Sequence, residues 1–221
     1  MKQIEQYTLD FLADLKLNNS REWFIRNRNR YLEAKANYED FVQVIINRIS
    51  EFDPILKGLE AKSCTYRINR DIRFSNDKTL YKTHLGAFIV RGGKNNGNRL
   101  AGYYVHAEPG NNSMIAGGAY MPPMPWLTTI REKIDDRGAE FLRIINNKEF
   151  IKYFGSLDIS EKLKSAPKGY PRDHPNIEFL KLKSFLAFRM ITDKEITARE
   201  SLDLIVKASE ALKPLNDFLN D

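Results

Sequence analysis

One cysteine, Cys64, stands in 221 residues. A lone thiol excludes an intramolecular disulfide and fits a reducing compartment. Small single thiols are usually buried packing, so Cys64 is read as core rather than as a nucleophile. No apolar run approaches the roughly 20 residues that cross a bilayer. The amino terminus, MKQIEQYTLDFLADL, has no basic stretch followed by an apolar core. No signal peptide and no membrane partner are therefore expected, and the expected location is cytoplasmic. The common catalytic signatures are also missing. There is no Gly-x-Ser-x-Gly elbow, no His-Glu-x-x-His pair and no paired cysteines. GGKNNGN lacks the Gly-Lys-Ser/Thr that closes a phosphate loop. It also falls between expected strands, so no helix amino terminus follows it to hold phosphate. Internal repeats and low-complexity linkers are absent.

What is present suits one ordinary globular domain over residues 1–221. The chain is 42% hydrophobic and 29% charged, with a formal net charge of +6. That charge permits a polyanionic partner without requiring one. Residues 1–56 read as helical. Thr8 can cap a helix carrying Phe11, Leu12 and Leu15, and Asn19 stands three residues before Glu22 as a second cap. Tyr38, Phe41, Val42, Ile45, Ile46 and Ile49 follow helical spacing until Asp53-Pro54. Residues 62–121 change to a period of two. Strands are expected around Tyr66–Phe74, His84–Val90, Leu100–Glu108 and Ser113–Tyr120, joined by Gly/Asn turns. The glycine pair inside SMIAGGAY reads as a bulge or a close approach. Residues 122–221 return to helix, with a loop over Lys162–Pro175, one late strand over Ser184–Ile191 and a last helix capped by Thr197. The expected fold is α+β, with a mainly antiparallel sheet of about five strands, helices from both ends of the chain packed on it and one face partly open.

The segment TYRINRDIRFSNDKTLYKTH concentrates charge. Arg67, Arg70, Arg73, Lys78, Lys82 and His84 face only Asp71 and Asp77. Arginine suits bidentate contact with phosphate or carboxylate. Residues three apart point to opposite faces of a regular strand, so converging the three arginines needs a bulge or a strand end. A solvated face with Asp71 and Asp77 as ion-pair partners explains the pattern without a ligand. A second basic stretch, KLKSAPKGYPRDHP, carries Lys168, Arg172 and His174 in a restrained loop, which would complete the same pocket if it folds against the first. His106 and Glu108 share a strand face, and His84 lies on the expected neighbour. With Asp71 or His174 these could ligate a divalent cation. A polar strand face explains them equally, so neither a metal nor a cofactor is assigned. Tyr103, Tyr104, Tyr120 and Trp126 offer a stacking surface beside the cations.

Four stretches in order, FLADLKLNNSREWF, YRINRDIRFSNDKTLYKTH, GYYVHAEPGNNSMIAGGAY and APKGYPRDHP, resemble an uncharacterised bacterial family, domain of unknown function 2461. The resemblance runs from about Tyr7 to the last helix. The motif R-x-x-R-D-x-R-F-x-x-D-K-x-x-Y-K falls on Arg67, Arg70, Asp71, Arg73, Phe74, Asp77, Lys78, Tyr81 and Lys82. Leu80 stands where the family commonly has proline. The resemblance implies no activity, but it selects the same residues.

Three readings follow. The first is a binding domain for a small anionic ligand, held by Arg67, Arg70, Arg73, Lys78, Tyr81, Lys82, Lys168, Arg172 and His174. The second is an enzyme acting on a phosphorylated substrate through Asp71, or through His84, His106 and Glu108. The third is a nucleic-acid-binding module, disfavoured by the acidic residues scattered through both basic stretches.

Overall fold

The computed structural model describes residues 3–73 and 76–221. Among them run α1 (Gln6–Leu17), α2 (Arg21–Arg26), α3 (Arg28–Ile49), α4 (Ala61–Cys64), β1 (Leu85–Ile89), β2 (Gly102–Ala107), β3 (Ser113–Ala119), α5 (Met124–Asp136), α6 (Gly138–Ile145), α7 (Lys148–Phe154), α8 (Ile177–Leu180), β4 (Phe185–Ile191), α9 (Asp193–Thr197) and α10 (Ser201–Asn220). The fold is α+β with one antiparallel sheet in the order β1-β2-β3-β4. Helices come from both ends of the chain.

The sheet has four strands, not five, among the described residues. The expected strand at Tyr66–Phe74 is absent as far as Arg73, and Phe74 lies outside the described residues. Alternation there was real, but its partner is local. Tyr66 N–H donates to Gly86 C=O at 2.9 Å, and the chain then leaves the sheet. It folds back on itself, with Arg70 N–H to Leu80 C=O at 3.0 Å and Lys82 N–H to Ile68 C=O at 2.8 Å. An irregular hairpin thus consumes the backbone groups that a fifth strand would have offered.

Three expected caps also move. Glu5 precedes α1, while Thr8 lies buried inside it and donates to Asn37 Oδ1 at 2.8 Å. Ser20, not Asn19, caps α2 by accepting from Trp23 N–H at 3.2 Å. Thr197 ends α9, and α10 begins after Glu200.

Strand parity sorts the sheet into two faces. One face carries Ala87, Ile89, Tyr103, Val105, Ile115, Ala187 and Ile191, all buried. It packs on α3, whose apolar stripe Tyr38, Phe41, Val42, Ile45, Ile46 and Ile49 is buried, and on α10 through Leu202, Ile205, Leu212 and Leu215. Each fully buried aliphatic side chain contributes roughly 1.5–3 kcal/mol. Tyr38 reaches through this layer to donate to Val105 C=O at 2.8 Å.

The glycine pair of β3 is a close approach on both sides. A Cβ on Gly117 would stand 2.7 Å from Leu212 Cδ1, so α10 uses that space. Gly118 has φ +114°, and a Cβ there would meet Phe185 C=O at 2.0 Å. The opposite face shows two cross-strand rows, Gly86-His106-Met114-Met190 and Phe88-Tyr104-Ala116-Phe188. Phe188 and Met190 are each 44% exposed, so this face has no helical cover at β4.

Candidate ligand cleft on the open sheet face

The hairpin over residues 65–84 is anchored beside β1 by side chains that the charge pattern alone did not single out. Asn19 Oδ1 accepts from Leu80 N–H at 3.1 Å and Tyr81 N–H at 3.0 Å, and its Nδ2 donates to Tyr81 C=O at 2.9 Å. Tyr81 is buried and stacks on Phe24, with ring centroids 4.0 Å apart and planes 11° apart. Tyr81 therefore serves as the hairpin's root. Ile68, also buried, is the second anchor.

The cations of the hairpin do not all converge. Arg73 forms a two-point pair with Asp71, Nε to Oδ1 at 2.9 Å and Nη2 to Oδ2 at 2.6 Å. Lys78 Nζ donates to Ile72 C=O at 3.1 Å, and Arg67 is exposed. Arg70 donates to the Asp77 carboxylate and the Thr79 hydroxyl. The Arg70 guanidinium holds the Asp77 carboxyl down at about 2. Lys82 Nζ donates to Arg67 C=O at 3.0 Å and lies over the Tyr66 ring, 5.3 Å from its centroid. Burial, then the Arg67 charge, lowers its pKa. Arg70, Asp71, Asp77, Tyr81, Lys82 and His84 line one depression of about 510 Å³, together with Lys16, Asn19, Thr79 and Thr83.

A second depression, of about 440 Å³, opens on the exposed sheet face. Its walls are Tyr66, Phe88, Tyr104, Met114, Tyr120, Leu186 and Phe188, and it shares Lys82 and His84 with the first. Strand parity could have found Phe88 and Phe188, since both follow from alternation, but not their alignment across four strands. Of the four aromatics expected to offer a stacking surface, Tyr104 and Tyr120 are here. Tyr103 is on the buried face, its hydroxyl 2.9 Å from Asp53 Oδ2, and Trp126 donates to Leu219 C=O at 3.3 Å among core residues.

The late basic loop does not join this cleft. It leads into β4, at the sheet edge opposite β1. Arg172 lines a separate recess of about 350 Å³ with Lys164 and Lys181, and Lys168 is exposed. His174 accepts from Asn176 N–H on Nδ1 at 3.0 Å, so its Nε2–H faces Asp135 Oδ1 at 2.9 Å. It is a latch between the loop and α5.

Beside His84, Tyr104 and His106 of β2 form a hydrogen-bonded chain with Glu108, just past the strand's end. Tyr104 Oη lies 2.9 Å from His106 Nδ1, and His106 Nε2 lies 2.9 Å from Glu108 Oε2. A carboxylate only accepts, so Nε2 carries a proton, and in the neutral imidazole Nδ1 accepts from the Tyr104 hydroxyl. Thr83 Oγ1 donates to Glu108 Oε1 at 3.0 Å. Burial, then Tyr66 and Glu108, raises the Tyr104 pKa. The His84 ring lies 4.3 Å from the His106 ring, tilted by 30°. Burial and His106 push the His84 pKa down to about 4, so it is neutral near pH 7. The candidate ligand atoms of His84, His106 and Glu108 all fall within 4.8 Å of one another. The group can exchange protons, or it can offer two nitrogens and an oxygen to a cation.

No helix is long and apolar enough to cross a membrane among the described residues. A family model described as a conserved hypothetical protein, DUF2461, matches residues 7–218. The chain belongs to that family. No curated protein and no solved structure matches it.

Proposed function

We propose that this member of the DUF2461 family binds a small anionic ligand with a flat apolar or aromatic body, nucleotides being the first class to test. The observation that carries the reading is the shared wall. Lys82 and His84 border both the polar depression and the aromatic one. An anionic group beside Lys82, with Arg70 behind it, leaves a ring free to lie among Tyr66, Phe88, Tyr104 and Phe188. Aromatic stacking is worth roughly 1–3 kcal/mol per base. The cation side supplies less than the sequence suggests, because Asp71 and Asp77 line it too. Lys16, Arg70 and Lys82 are the cations of this reading. Arg67, Arg73, Lys78, Lys168 and Arg172 are left outside it. A cytoplasmic setting belongs to the same proposal, and the buried free thiol of Cys64 fits it.

Thermal shift tests the reading. Wild type, Lys82→Ala and Phe188→Ala are each melted with phosphate, mononucleotides and short single-stranded oligonucleotides. Binding at one hundred times Kd stabilises by about 2.7 kcal/mol. The expected result is a rise in Tm with a mononucleotide in wild type that is smaller in both variants. A rise with phosphate that Phe188→Ala leaves intact would remove the aromatic half of the proposal. A rise only with oligonucleotides, steeply lost with salt, would favour a nucleic-acid module instead.

A further inference from the structure

His84, His106 and Glu108 come from two neighbouring strand regions whose register brings them together. Gly86 pairs with His106 across β1 and β2, and His84 is two residues before Gly86 on the same parity. Glu108 follows His106 by two. His84 stands just before β1 and Glu108 just after β2, and the three side chains meet at that end of the strand pair.

Two of them are already oriented by a second partner. Tyr104 holds His106 at Nδ1, and Thr83 holds Glu108 at Oε1, leaving His106 Nε2 and Glu108 Oε2 directed at each other 2.9 Å apart. Among the described residues, neither ring nitrogen of His84 has a hydrogen-bond partner, although the residue is half-buried. Metal ligands commonly have this arrangement, with the atom not bound to metal fixed by a hydrogen bond.

We propose that His84, His106 and Glu108 form a binding site for one divalent transition cation, zinc being the simplest case. Two imidazoles and one carboxylate are a borderline donor set, suited to Zn²⁺, Co²⁺, Fe²⁺ or Mn²⁺ rather than to Mg²⁺ or Ca²⁺, which prefer oxygen. Bonds of about 2.0–2.2 Å place tetrahedral ligands roughly 3.3–3.6 Å apart. The candidate ligand atoms lie within 4.8 Å of one another, so binding draws His84 in and opens the 2.9 Å pair of His106 and Glu108. The cation replaces the Nε2 proton between His106 and Glu108. His106 then carries its proton on Nδ1 and donates it to Tyr104 Oη, so the tyrosine reverses from donor to acceptor without moving. His84 is the third ligand.

One carboxylate against a dication leaves a net charge of +1, with Lys82 nearby. Three protein ligands leave a coordination position open, and His84 borders both depressions. An anionic fourth ligand matches that charge. The cation site is nonetheless independent of the ligand reading above, and its test uses no organic ligand.

The chain is stripped with chelator, dialysed and titrated with ZnCl₂ by calorimetry, and with Co²⁺ by visible d–d absorption. MgCl₂ is the control cation. Wild type is expected to bind one Zn²⁺ per chain, with Co²⁺ giving the absorption of a nitrogen/oxygen site and Mg²⁺ giving no heat of binding. His84→Ala and Glu108→Gln are expected to weaken Zn²⁺ by at least ~10-fold, and Tyr104→Phe by about 10–100-fold through loss of the outer hydrogen bond. Metal-free melts confirm that each variant is folded. Absence of saturable Zn²⁺ and Co²⁺ binding in wild type would overturn the proposal. So would equal affinity in wild type, His84→Ala and Glu108→Gln, which would put the metal elsewhere.

Discussion

Gly86 is where fold and site meet, and replacing it with alanine gives a prediction whose sign is informative. Its backbone is not left-handed, so alanine is conformationally allowed. By propensity alone, Gly→Ala in a strand stabilises by about 0.5–1 kcal/mol. Space argues the other way. A Cβ at Gly86 would stand 2.6 Å from Tyr104 Oη and 3.2 Å from Cζ and Cε2. The Tyr104 ring must tilt away, and its bond to His106 Nδ1 at 2.9 Å is then lost. A lost hydrogen bond costs about 0.5–1.5 kcal/mol, and overpacking costs about 1–3 kcal/mol. Tyr104 is only partly buried, so the ring has room to move outward and the overpacking cost falls at its low end. The net expectation is a loss of about 1 kcal/mol, or roughly 2–4 °C in Tm for a chain of this size.

Urea unfolding of Gly86→Ala, of Tyr104→Phe and of the double variant measures this directly. With phenylalanine at position 104 the atom 2.6 Å away is gone, so Gly86→Ala should cost about 1 kcal/mol less there than in wild type. The His106 ring ¹⁵N shifts report the hydrogen bond independently. Net stabilisation of Gly86→Ala in wild type, with unchanged His106 shifts, would refute the reasoning. It would mean that the chain Tyr104-His106-Glu108 is not seated against β1 as described.

Three further outcomes are expected. Arg131 is buried in α5 and donates to Leu180 C=O at 2.8 Å and Leu182 C=O at 3.2 Å, tying α5 to the approach of β4. Arg131→Met should lower stability by about 2–3 kcal/mol in chemical denaturation, and a loss below ~0.5 kcal/mol would contradict a structural role. The Asp77 carboxyl, held at about 2 mainly by Arg70, should titrate well below the unfolded value of roughly 3.9 when followed by NMR. The stability it lends is present above that unfolded value and is lost as pH falls through about 2, and Arg70→Ala should raise the titration toward the ordinary range, with the Thr79 hydrogen bonds still lowering it. Burial raises the Cys64 thiol pKa, so a disulfide reagent should react far more slowly with native than with urea-unfolded protein. Equal rates would show an accessible thiol.

Much of the architecture follows from periodicity that needs no partner to be visible. The stripe from Tyr38 to Ile49 announced α3, because a helix buries one face at 3.6-residue spacing whatever it packs against. The strands at Leu85–Ile89, Gly102–Ala107, Ser113–Ala119 and Phe185–Ile191 could be read from alternation and Gly/Asn turns. The motif residues of the hairpin, and the common face of His106 and Glu108, were equally visible, since a spacing of two fixes parity within any regular strand.

Other features required the folded chain. The segment after Tyr66 alternates like a strand, yet it spends its backbone hydrogen bonds on residues 80–82. Pairing is decided by which partner arrives, not by the alternation itself. Asn19 looks like a helix cap in sequence, but 62 residues separate it from Tyr81, whose backbone it holds. Whether Arg70 or Arg73 faces a cleft depends on where Asp71 and Asp77 stand, because a near carboxylate takes up the charge a ligand would otherwise meet. The separation of the late basic loop from the hairpin follows from strand order, which composition does not encode. Local spacing thus determined which residues share a face. Only the tertiary structure decided which faces meet, because those contacts join residues far apart in sequence and are set by the packing of the whole sheet.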